Sequence, residues 1–145
     1  MNDSSYSWKP SAHTADLAIE ITADDKPGLF HAALAGFLGS LELDTSLPEE
    51  KEIIENHLNI SFDEMETAIV DFLNECIFLT EVEELVPLGI IDLKLEKNSM
   101  DATLQCREVT EEDRPEIGHI KAATYSDLQI ENVDGVYKAK LIFDT

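Results

Sequence analysis

Positive charge is scarce in this sequence. Ten Lys and Arg stand against 31 Asp and Glu, a formal net charge of −21 over 145 residues. A surface of that sign repels phosphate backbones, so autonomous nucleic-acid binding is not expected. It suits a basic partner or divalent cations instead, and it keeps the chain soluble. Cysteine is nearly absent. Cys76 and Cys106 have neither CxxC nor Cys/His spacing, which excludes a disulfide framework and a zinc-finger type of site. Both are read as reduced thiols. No apolar run is long enough for a membrane span, since the stretch from Leu85 to Leu93 is broken by Pro87 and Asp92. Met1-Asn2-Asp3-Ser4-Ser5 lacks a basic region followed by an apolar one, so no signal peptide is expected and the expected location is cytoplasmic. Glycine-rich phosphate loops of the GxGxxG or P-loop kind are missing, as is a GxSxG nucleophile elbow.

The chain does have enough apolar residues, at 43%, to build a core, and its length suits one domain over residues 1–145. Leu17, Ile19 and Ile21 alternate with Ala18, Glu20 and Thr22, the period of a half-buried strand. Asp24-Asp25-Lys26-Pro27 is a helix-start signal. Behind it Leu29, Phe30, Ala33, Leu34, Phe37, Leu38 and Leu41 recur at three and four, which predicts a helix over residues 27–41. Gly28, Gly36 and Gly39 weaken that helix and permit close approach to a sheet. A second helix is expected over 63–79, with Asp63 as N-cap and Glu66 three residues later. Its apolar side carries Phe72, Leu73 and Cys76, and its polar side carries Asp71, Asn74 and Glu75. Strands are expected over 6–12, 17–23, 51–62, 88–96, 102–108, 117–132 and 136–143, with Asp134-Gly135 as a hairpin turn. The sum is α+β: two main helices packed on one face of a mixed, largely antiparallel sheet.

Two places carry candidate chemistry. His13-Thr14-Ala15-Asp16 sets a His and an Asp at the mouth of the Leu17 strand, where they suit either a turn or a metal site. At Asp144-Thr145 a side-chain carboxylate adjoins the final α-carboxylate, after a strand that ends in Leu141-Ile142-Phe143. Hard divalent cations prefer several carboxylate oxygens at one point. An ordinary polar tail is the alternative there, and a solvated helix face is the alternative for Asp71, Asn74 and Glu75. His31 and His57 have no neighbouring ligand pattern, and His119 has no assigned role.

The chain resembles the archease family. His13-Thr14-Ala15-Asp16 is similar to its HTAD motif. Val70-Asp71-Phe72-Leu73-Asn74-Glu75, followed by Glu81-Val82-Glu83, resembles its VDWLNE helix. Lys121-Ala122-Ala123-Thr124-Tyr125 resembles its KAVTY strand, and Ile142-Phe143-Asp144-Thr145 its ILDV-type ending. Ala18 replaces a common glycine, and Ser126 stands where the family often has His. The resemblance implies a metal-binding protein that activates an RtcB-type RNA ligase, promoting its guanylylation and repeated turnover in tRNA splicing or RNA repair, without joining RNA itself. It implies Asp16, Asp144 and Thr145 as metal ligands. Hard oxygen donors suit Ca²⁺ first, with Mg²⁺ or Mn²⁺ as alternatives. His13, Asp71, Asn74, Glu75 and Lys121 are then expected to face the partner or support the site. A metal-dependent phosphoester hydrolase with His13 as acid or base, and a small-ligand or peptide-binding module, are the competing readings.

Overall fold

The computed structural model describes residues 5–11, 17–47, 52–125 and 128–145. In chain order the elements are β1 (Tyr6–Ser11), β2 (Leu17–Ala23), α1 (Lys26–Ser40), β3 (Ile54–Ser61), α2 (Met65–Glu81), β4 (Leu85–Leu95), β5 (Ser99–Glu108), β6 (Ala122–Thr124), β7 (Glu131–Val133) and β8 (Val136–Asp144). The class is α+β, and every strand pair among the described residues is antiparallel. The strands form two sheets, where the sequence suggested one.

The first sheet is built around β8. On one edge it pairs with β2, Leu17 opposite Phe143 and Ala23 opposite Tyr137, and β1 adds outside β2. On its other edge lie β7 near its start and β6 near its end, with Ala122 opposite Asp144. Both edges of β8 are thus filled, and β3, β5 and β4 pair among themselves as the second sheet. Asp134 and Gly135 take φ of 53° and 83°, the geometry of the two-residue turn that the Asp-Gly pair predicts.

α1 starts where expected. Asp25 Oδ1 accepts from Gly28 N at 2.8 Å, and Pro27 sits in the first turn. The helix is buried on nearly all sides rather than along one stripe, because it touches β1 and β2, α2 and β4. Gly36 and Gly39 make this possible: a methyl on Gly39 would overlap the Trp8 ring, and one on Gly36 would overlap Ile19. α2 begins at Met65 with Glu64 as its N-cap, not Asp63, and no side chain caps it. Glu66 accepts from Ile130 N at 3.3 Å instead of closing a capping box. α2 touches β3, β4 and β6, so the two helices serve both sheets. Phe30 meets Phe72 edge to face at 5.5 Å, and Phe37 meets Phe143 at 6.4 Å, all four rings fully buried.

The expected strand over 117–132 is a correction. Its described part is a turn-rich loop to residue 121, then only β6 and β7. Gly118 has φ of 99°, which interrupts an extended run, while Ile120 turns into the core and Leu128 and Ile130 pack against it. β4 begins at Leu85, before the expected start at residue 88; Pro87 is accommodated opposite Cys106 on this edge strand, next to a register shift between Pro87 and Gly89. The acidic loop after β5 is tied down by a buried ion pair. Arg107 donates to Asp113 at 2.7 and 2.9 Å and to the Asp44 carbonyl at 2.9 Å. Those bonds hold the Asp113 carboxyl down at about 2. No helix of the described residues is long and apolar enough to cross a membrane.

Candidate functional site at the end of β8

Asp144 is carried by a strand that cannot easily move. Leu141 and Phe143 point into the core and are fully buried, and β2 and β6 hold the strand on both sides. Alternation along the strand then turns Asp144 to the opposite face from Phe143, and its side chain is exposed. Lys121 N donates to the Asp144 carbonyl at 2.8 Å, so this lysine supports the site through its backbone while its side chain is exposed. Thr145 follows, also exposed.

β6 owes its position to α2. Asn74 Oδ1 accepts from Ala123 N at 2.8 Å, and Asn74 Nδ2 donates to the Ala123 carbonyl at 3.3 Å. One side-chain amide therefore pairs the backbone of β6 on the edge turned away from β8. One turn earlier, Asp71 Oδ1 accepts from the Tyr125 hydroxyl at 2.5 Å. That bond, with some burial and the charge of Asp71, pushes the Tyr125 phenol up from its ordinary value. Glu75 is exposed. The polar stripe read from the sequence thus splits in two. Asn74 and Asp71 hold β6 and Tyr125, and Glu75 faces outward.

His13 and Asp16, with the rest of residues 12–16, lie outside the described residues, as does Ser126. Among the described residues no three His, Cys, Asp or Glu side chains gather as a metal cluster. Asp144 alone of the expected carboxylate side chains is described, and its exposed oxygens with those of Thr145 are hard donors suited to Ca²⁺ or Mg²⁺. The remaining histidines have other partners. His31 stacks on Tyr6 at 5.3 Å, and burial pushes its pKa down against the opposing charge of Asp25. His57 lies 3.3 Å from Asp101 on the second sheet, and His119 3.6 Å from Glu116. Cys76 and Cys106 are free and buried, and burial pushes both thiols up, Cys106 to about 11.

The sequence reading missed the grip of Asn74 on Ala123 and the Arg107–Asp113 pair. The first leaves no local signal, because its partner is backbone far along the chain. The second had one: an arginine among few cations, at the end of a strand and followed by an acidic loop.

The family model of the archease protein family matches residues 8–145. The chain is 29% identical over 143 residues to protein archease of Pyrococcus furiosus, covering 94% of this chain and 97% of that one. It is 30% identical over 139 residues to protein archease of Thermotoga maritima, covering 94% and 98%. Among solved structures it is similar to the crystal structure of a Thermotoga maritima archease described as a possible chaperone, with 31% identity, a TM-score of 0.58, and 94% and 96% of the two chains covered. The solution structure of Methanobacterium thermoautotrophicum protein 1598 shares the fold, with a TM-score of 0.64 at 23% identity over 95% and 98% of the chains.

Proposed function

The chain belongs to the archease family, and from that premise we propose that it is a cation-binding accessory protein that activates an RtcB-type RNA ligase, promoting guanylylation of the ligase and its repeated turnover in tRNA splicing or RNA repair. The observation that carries the site is the strand register. Leu17, the residue after Asp16, lies opposite Phe143, the residue before Asp144. Each aspartate is one peptide step of about 3.8 Å from a residue of that pair. That adjacency supports Asp16 and Asp144 as ligands, and Thr145 follows Asp144 directly as the third member of the set.

Carboxylates gathered around one point would repel one another, and a hard divalent cation would relieve the repulsion. Ca²⁺ suits a flexible all-oxygen set best, and Mg²⁺ or Mn²⁺ are the alternatives. A cation held there would supply a fixed positive charge beside these carboxylates. The chain's own residues do the rest. β2 pairs with β8 as far as Phe143, β6 pairs with Asp144 itself, Lys121 N occupies its carbonyl, and Asn74 keeps β6 in place. The acidic charge fits docking on a basic enzyme rather than on RNA. His13 then orients the Asp16 segment or faces the partner.

The test uses purified ligase, guanosine triphosphate and a divalent cation, with and without this chain. More guanylylated ligase and more joined product per ligase are expected in its presence. Equal turnover in both arms rejects the activator role, and phosphoester hydrolysis by the chain alone favours a hydrolase.

A further inference from the structure

α2 buries Phe72, Leu73, Cys76 and Ile77, yet it also holds large apolar side chains out to solvent. Phe78 is 46% exposed and Val82, at its C-cap, 61%. With 3.6 residues per turn, Asp71, Glu75, Phe78 and Val82 fall along one line of the helix. At the upper end of that line Asp71 fixes the Tyr125 hydroxyl, leaving the ring 55% exposed. Glu75 is exposed on the line between Asp71 and Phe78, and Glu81 and Glu83 are exposed at its lower end.

Isolated exposed hydrophobics need no explanation. Here two lie one turn apart, in line with an aromatic ring that a hydrogen bond holds, and acids surround them. An apolar centre with a charged rim is the anatomy of a protein–protein contact. We infer that the line Tyr125–Glu75–Phe78–Val82 is the docking surface for a partner protein that offers a shallow apolar pocket bordered by Lys and Arg. It deepens the activator reading and rests on it, since the partner intended is the same ligase.

Charge decides the occupant. A second copy of this chain would bring another net charge of −21 against the same acids, so self-association on this face is opposed. A basic rim is attracted by Glu75, Glu81 and Glu83, and that attraction weakens with salt. Asp71 is already engaged by Tyr125, so Glu75 is the acid of the original stripe that is available to the partner.

The experiment measures binding of purified RtcB-type ligase to the full chain by calorimetry at low and high salt. The variants are Phe78→Ser with Val82→Ser, Glu75→Lys with Glu81→Lys, and Ile91→Ser, an exposed apolar residue of β4 off the line. Thermal melting checks that each remains folded. The expected result is a loss of about tenfold or more for the apolar pair with its salt dependence kept. The charge-reversed pair should lose affinity and salt dependence together, and Ile91→Ser should match the unaltered chain. If the unaltered chain binds and the apolar pair binds within about twofold of it, this surface is wrong while the activator reading stands. An equal loss for Ile91→Ser overturns the assignment too. If the unaltered chain does not bind, both readings fall. If it forms a dimer that the apolar pair dissociates, the face is a self-association surface and the inference is overturned.

Discussion

Asn74→Ala removes the side chain that pairs both Ala123 backbone groups across the edge of β6. Two neutral hydrogen bonds contribute about 0.5–1.5 kcal/mol each, and a buried amide left without a partner costs about 1–3 kcal/mol. Ala123 is buried, so water does not readily replace the lost partner. The expected destabilisation is therefore about 2–4 kcal/mol. β6 has three residues, all paired with β8 on the opposite edge, and Lys121 N reaches the Asp144 carbonyl from its start. Loosening β6 should thus lower cation affinity at a distance from the cation. Urea unfolding followed by the fluorescence of Trp8, the sole tryptophan, gives the stability change. Amide exchange at Ala123 gives the local one. Asn74→Asp should not rescue, because it keeps the acceptor for Ala123 N–H but sets a carboxylate against the Ala123 carbonyl. A loss below about 1 kcal/mol, with the Ala123 amide still protected, refutes the reasoning.

The Asp113 carboxyl lies at about 2 when folded against an ordinary 3.8, so its pairing with Arg107 contributes stability above about pH 4 that disappears as pH falls towards 2. The shift corresponds to about 2 kcal/mol, and Asp113→Asn should flatten that acid limb in pH-dependent unfolding. At neutral pH the same change leaves Arg107 buried and unpaired and should cost about 3–5 kcal/mol. Phe37→Ala and Leu73→Ala each open a hole in the shared core of helices and sheets, and each should cost about 2–5 kcal/mol in denaturant titration. Less than about 1 kcal/mol at both would mean that the apolar faces are assigned wrongly.

What was legible in the sequence was local. Asp25 and Pro27 marked the start of α1, and Asp134-Gly135 marked a hairpin. What stayed hidden was long-range. The apolar spacing of α1 suggested one buried stripe, but its glycines let Trp8 and Ile19 close over the other side. Ile120, Leu128 and Ile130 imitate a strand, yet all three reach the core from outside the short strands β6 and β7. Asp63 and Glu64 are both acidic residues before an apolar run, so the cap position could not be chosen from composition. Two sheets rather than one follow from β3, β5 and β4 pairing with one another among the described residues, a fact of pairing and not of periodicity. At the candidate site, Asp144 and Thr145 were readable as oxygen donors behind an apolar strand. The clamp that steadies them was not, because Asn74 and Ala123 meet only in the folded chain.

Cation binding at the end of β8 and ligase activation are tested together by multiple-turnover guanylylation of a purified RtcB-type ligase. The assay compares the unaltered chain with Asp144→Ala, each with and without added Ca²⁺ or Mg²⁺, beside thermal melting of the chain alone. A cation at a hundred times its dissociation constant stabilises the folded state by about 2.7 kcal/mol. The unaltered chain should show both this cation-dependent gain and stimulation of the ligase, and Asp144→Ala should lose both while remaining folded. Equal cation stabilisation and equal ligase stimulation by Asp144→Ala would show that the cation site and its role in activation are wrongly assigned.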